Sequence, residues 1–132
     1  VQDMVIGPLS YDLVSLLKDC YVRWPDAVIE QGMRLGFDTL QEAGLLGNLD
    51  YAAFRRAADL TGMQRHLKAA GLFTRLYHRD GKAGYLKDIP RTLGYVVDVC
   101  RSHGAAYPVL ARFGQWLEQV VLPGLARTGV TP

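Results

Sequence analysis

The stretch GPLSYDLVSLLKDCYVRWP, residues 7–25, decides how the chain is read. Gly7–Pro8 marks a turn, and Ser10 stands where a helix N-cap belongs. Beyond it Leu13, Leu16, Leu17, Cys20, Tyr21 and Trp24 recur at the spacing of one buried helical stripe. Asp12, Ser15, Asp19 and Arg23 fall on a different, polar face. Pro25 stops this helix, because the residue before a proline is pushed out of the α region. Upstream, VQDMVI suits a short strand or loop.

The same period runs through the rest of the chain. Residues 26–43 form a second helix with Val28, Ile29, Leu35, Phe37 and Leu40 as its apolar surface. Gly32 and Gly36 weaken it by about 1 kcal/mol each relative to alanine. GLLGN is a loop, and Asp50 caps a third helix that carries Phe54, Ala57, Ala58, Leu60, Met63 and Leu67 inward to about His78. Asp80–Gly81 ends that helix, with Gly81 suited to the left-handed position. Asp88 caps a fourth helix, Pro90 is tolerated in its first turn, and Ile89, Leu93, Val96, Val97 and Cys100 form its stripe. A last helix starts near Pro108 and buries Val109, Phe113, Leu117, Val120 and Val121. The expectation is one all-α domain, residues 1–132, of about five helices with a strand or loop remnant at the N-terminus.

Composition narrows the function classes. With 132 residues, 49% hydrophobic and 21% charged, the chain can bury one core and is not a disordered segment. A net charge of +2 gives no reason to expect nucleic acid or an anionic membrane as partner. No apolar run reaches the roughly 18 residues of a spanning helix. Cys20 and Cys100 stand apart and read as reduced core residues of a cytoplasmic protein. His66, His78 and His103 have no partner at ligand spacing, so no metal site is expected. There is no nucleophile elbow, and RDGKAG lacks the spacing of a phosphate loop.

Two groups of residues remain. Asp12 and Asp19, seven apart on a helix, would share a face about 10 Å apart, although Asp12 in a first turn also complements the helix dipole without further role. Gln64, Arg65, His66 and Lys68 cluster within little more than a turn; they form either a ligand-facing basic patch or a solvated helix face. In 71–91, GLFTRLYHRDGKAGYLKDIPR, local physics accounts for a helix end, a turn and a helix start, with Tyr77 and Tyr85 as half-buried rings.

Residues 7–25 also resemble the aminoglycoside phosphotransferase superfamily. There a metal-binding Asp motif is followed by a Gly-Asp/Pro-x-x-Tyr/Trp-Asp-Leu-Ala/Val run, which Gly7, Pro8, Tyr11, Asp12, Leu13 and Val14 match. GMQRHLKAAGLFTRLYHRDGKAGYLKDIPRTLGYV, residues 62–96, is similar to the branch of small bacterial kinases that phosphorylate the anomeric hydroxyl of N-acetylmuramate and N-acetylglucosamine. The resemblance implies the helical part of a protein-kinase-like C-lobe, a fragment of a larger enzyme of peptidoglycan recycling that uses ATP and Mg²⁺. The N-lobe, its nucleotide-clamping lysine and the H-G-D-x-x-x-x-N catalytic loop have no counterpart here. The metal-binding Asp would fall just before Val1, leaving Gln2 and Asp3 beside the metal site.

In this resemblance Asp12 supports the catalytic loop, while Asp19, Tyr21, Arg65, His66, Arg75, Asp80 and Lys82 are the candidate sugar-binding residues. The remainder of the kinase and the sugar are the implied partners, and the isolated chain is expected to be inactive. Two alternatives stand beside this: another small alcohol as substrate (an aminoglycoside, choline or homoserine), or a non-catalytic helical interaction module. A face stripped of its partner also predicts self-association or marginal stability.

Overall fold

A computed structural model describes residues 10–19 and 21–128. They are all-α, with no strand among the described residues. The elements are α1 (Tyr11–Leu17), α2 (Asp26–Glu42), α3 (Tyr51–Asp80), a 3₁₀ turn (Ala83–Tyr85), α4 (Asp88–His103), α5 (Pro108–Trp116), a π-helical turn (Leu117–Val121) and α6 (Leu122–Arg127). The last three follow without a break. The π turn closes with the Leu122 N–H donating to the Leu117 carbonyl five residues back. It sits just ahead of Pro123, whose ring would clash with an ordinary i−4 carbonyl. The expected strand or loop remnant lies outside the described residues. No described helix is long and apolar enough to cross a membrane.

The described residues fall into two compact units that share α3. Residues 10–19 and 24–62 make the first. Its core is Val14, Leu17, Ile29, Met33 and Ala58, with Leu13 and Tyr51 packed against it. Phe37 meets Tyr51 edge-on and Phe54 at a tilt, each with ring centroids 5.5 Å apart. The two glycines of α2 are contact points for α1: a Cβ on Gly32 would lie 2.6 Å from a Leu17 methyl, and one on Gly36 would overlap Leu13. Their lost helix propensity is exchanged for close packing.

Residues 21–23 and 63–128 make the second unit. Its core joins Ala70 and Phe73 of α3 to Ile89, Leu93, Val96, Val97 and Cys100 of α4 and to Leu117. Helix α3 ends as its sequence suggests. Gly81 takes φ +67° and its N–H donates to the Tyr77 carbonyl, the αL form of helix closure, while the Lys82 N–H donates to the Leu76 carbonyl.

Several sequence expectations are corrected. Helix α1 stops at Leu17, well before Pro25, and Leu16, Tyr21 and Trp24 are exposed instead of buried. The Trp24 indole N–H donates 3.2 Å to the Leu16 carbonyl, satisfying one of the acceptors the helix end leaves open. Ser10 occupies the N-cap position without a side-chain capping bond, whereas Asp50 does cap α3, accepting from the Ala53 N–H at 2.8 Å. Asp88 lies inside the first turn of α4, where its carboxylate accepts from Arg91 at 2.8 Å. Val28, Leu35, Leu67, Val109 and Val120 are exposed, as is Ala57. Their helices bury only a narrow line of residues, and these side chains lie outside it. Cys100 is buried as expected; Cys20 lies outside the described residues.

Candidate functional site

The first unit holds a polar network built from three helices. Lys18, just past α1, places Nζ 3.1 Å from Asp59 Oδ1, and Arg55 Nε donates to the same oxygen at 3.1 Å. Arg55 also pairs with Glu30 of α2, and the Tyr51 hydroxyl donates to Glu30 Oε1 at 2.6 Å. The Arg34 guanidinium lies 3.6 Å over the Tyr51 ring, a cation–π contact. The hydrogen bond from Tyr51, with the nearby guanidinium groups, holds the Glu30 carboxyl below its ordinary pKa. Desolvation and the same hydrogen bond raise that of Tyr51. Arg55 stays charged, its tendency to lose the proton countered by Tyr51, Asp59 and Glu30.

The second unit carries an aromatic and cationic stack. His66 is fully buried and lies parallel to the Tyr95 ring with centroids 4.6 Å apart. Arg23 covers Tyr95 at 4.5 Å and pairs with Asp98. The Tyr95 hydroxyl donates to the Val22 carbonyl at 3.1 Å, so the short segment 21–23 is tied to α4. A second group of rings runs from Tyr21 through Phe73 to Tyr85, with centroid separations of 6.0 and 5.6 Å. A cleft of about 450 Å³ between α4 and α5 is lined by Cys100, Arg101, Gly114 and Glu118 among others, and holds none of the candidate sugar-binding residues. Burial pushes the Cys100 thiol up.

The candidate residues are therefore dispersed. Asp12 is exposed in the first turn of α1, and the end of the helix at Leu17 removes the shared helical face expected of Asp12 and Asp19. Tyr21 is exposed against Phe73. Arg65 is half-buried, and His66, expected on either a ligand-facing or a solvated patch, is instead enclosed against Tyr95. Arg75 and Lys82 are exposed, and Asp80 pairs with Arg79 at 3.2 Å. Gln2 and Asp3 lie outside the described residues. Sequence reasoning missed Lys18, Asp59, Arg23 and Tyr95. Asp59 had a signal, an acid beside Ala58 on an otherwise apolar stripe.

The chain is 41% identical over 119 residues, 90% of its length, to the N-acetylmuramate/N-acetylglucosamine kinase of Pseudomonas putida, of which it covers 34%. It is 41% identical over 110 residues to the protein of the same name from Neisseria meningitidis serogroup B, with 83% of this chain and 33% of that one aligned. Its identity to the Pseudomonas aeruginosa protein of that name is 39% over 116 residues, with 88% and 33% aligned. The chain thus spans about a third of the length of the curated relatives it matches. No protein-family model and no solved structure matches it.

Proposed function

We propose that the chain is the substrate-side helical part of an ATP-dependent amino-sugar kinase that acts in the cytoplasm on N-acetylmuramate or N-acetylglucosamine. The observation that carries this is the 41% identity to the Pseudomonas putida kinase of that name over 90% of the chain. The all-α architecture accords with the helical portion of a kinase C-lobe. In this reading Asp12, exposed at the start of α1, accepts hydrogen bonds that hold the catalytic loop. Within the second unit Tyr21, Arg65 and Lys82, with Asp80, are the residues offered to the sugar. His66 acts from behind, by fixing Tyr95 and through it the segment that carries Tyr21.

ATP and Mg²⁺ would supply the transferred phosphoryl group and neutralise its charge. Among the described residues no three carboxylate, imidazole or thiolate side chains converge on a metal position. These described residues do not fit a metal site.

A chimera tests the reading. The 119 matched residues of the Pseudomonas putida kinase are replaced by the aligned residues of this chain, and phosphoryl transfer from ATP to each sugar is followed. The expected outcome is transfer by the chimera and none by this chain alone. A folded chimera that transfers to neither sugar, or turnover by the chain alone, overturns the proposal.

A further inference from the structure

Helices α2 and α3 each carry an exposed stripe with the same spacing. On α2 it is Gln31, Leu35, Asp38 and Glu42; on α3 it is Lys68, Leu72, Arg75 and Arg79. Steps of four, three and four keep each set within about 60° on its helix. All eight residues are exposed. Each stripe lies opposite the buried residues of its own helix, Ile29 and Met33 in one case and His66, Ala70 and Phe73 in the other. Both therefore point to solvent.

The two stripes match in register as well as in spacing. Each has one leucine, Leu35 at 59% exposure and Leu72 at 39%. Three and seven residues beyond it stand two acids on α2 and two arginines on α3. Laid parallel with the leucines opposed, Asp38 meets Arg75, Glu42 meets Arg79 and Gln31 meets Lys68. Laid antiparallel about the same leucines, Asp38 approaches Lys68 and Glu42 reaches only the half-buried Arg65 at the edge of the stripe, while Arg75 and Arg79 meet no acid. Arg79 already pairs with Asp80 through Nε, and its remaining N–H groups can still donate.

We propose that the chain self-associates through this pair of stripes, α2 of one copy lying parallel against α3 of the next. The occupant is a second copy because the complementary surface, with matching charge order and leucine position, is present on the chain itself. The contact is heterologous, so every copy in a chain of contacts still offers an acidic or a basic stripe, and assembly continues beyond a dimer unless a ring closes. Exposed ion pairs around a single leucine contact make it weak and sensitive to salt. This is distinct from association through a bare apolar face, which salt would not dissolve.

Sedimentation velocity on the full chain at about 10 mM and about 1 M ionic strength, where the Debye length falls from roughly 30 to 3 Å, reads the contact directly. Mass should grow with concentration at low salt and return to that of the monomer at high salt. D38K/E42K and R75E/R79E should each weaken self-association by at least about tenfold, since like charges then face each other. Mixing these two variants should restore association, because each now complements the other, and the fourfold exchange should restore it within one chain. Circular dichroism confirms that each variant is folded. A wild-type monomer at low salt, association that survives high salt, or failure of the mixed variants to associate overturns the proposal.

Discussion

Lys18 Nζ and Arg55 Nε both lie 3.1 Å from the same oxygen of Asp59, and the Lys18 and Asp59 side chains are each less than a tenth exposed. One buried carboxylate thus balances two cations. Removing one member of a buried pair costs about 3–5 kcal/mol when the other is left uncompensated. The three positions are not equivalent, however. Asp59→Asn removes the charge that Lys18 and Arg55 share, whereas Lys18→Met leaves Asp59 still held by Arg55. Urea denaturation should show Asp59→Asn losing about 3 kcal/mol or more and Lys18→Met clearly less. The reverse order would mean that Arg55 does not share the charge.

Glu30 gives the network a pH dependence of known sign. Its pKa is lowered in the folded chain, first by the Tyr51 hydrogen bond and then by Arg55 and Arg34. The unfolded chain therefore takes up the proton first as pH falls. The stabilisation is complete above the unfolded value of 4.5 and is lost as pH drops through the lower folded value. Glu30 is largely exposed, so solvent screening keeps the effect modest. Denaturation midpoints measured from pH 6 downward should fall less steeply for Glu30→Gln and for Tyr51→Phe than for the parent. Identical slopes would remove Glu30 from the acid response.

How much of this was legible in the sequence differs between local and long-range features. Asp50, Gly81 and Pro108 punctuate the helices through interactions within a few residues, and the structure uses each as its chemistry dictates. The end of α1 depends on distant groups. The apolar spacing continues to Trp24, yet the helix stops at Leu17, the Lys18 amine turns to Asp59, and Trp24 returns to the Leu16 carbonyl. A tertiary ion pair overrode periodicity there. His66 was misread for the same reason, since its place depends on Tyr95, 29 positions away. The candidate sugar residues came from resemblance alone, because exposed Arg75 and Lys82 carry no local pattern that distinguishes a binding role from a solvated one.

Two glycines in helices should respond oppositely to alanine. A Cβ on Gly114 would stand 2.7 Å from Cys100 Cβ, an atom that cannot rotate away, whereas one on Gly71 meets nothing within 4 Å. Gly71→Ala should therefore stabilise by about 0.5–1 kcal/mol through helix propensity and unfolded-state entropy. Gly114→Ala gains the same term but forces α4 and α5 apart, for a net loss of about 1–2 kcal/mol. Thermal or urea unfolding of the two variants decides the matter, and stabilisation by both would mean that the α4–α5 contact is looser than the geometry indicates.

The Tyr95 hydroxyl is the group through which the buried stack reaches segment 21–23. It donates to the Val22 carbonyl, while its ring sits between His66 and Arg23. Tyr95→Phe keeps the ring and deletes the hydrogen bond, which should cost about 1 kcal/mol of global stability. The informative change is local. Once freed from Tyr95, residues 21–23 should exchange their amide hydrogens faster than in the parent, while the amides at the centre of α4 change only in step with the global loss. In an active chimera the same variant should raise the sugar KM more than it lowers kcat, because it loosens the backbone that carries Tyr21 and leaves the phosphoryl-transfer groups in place. A fall in kcat at unchanged KM would place Tyr95 on the side of the chemistry instead of substrate positioning.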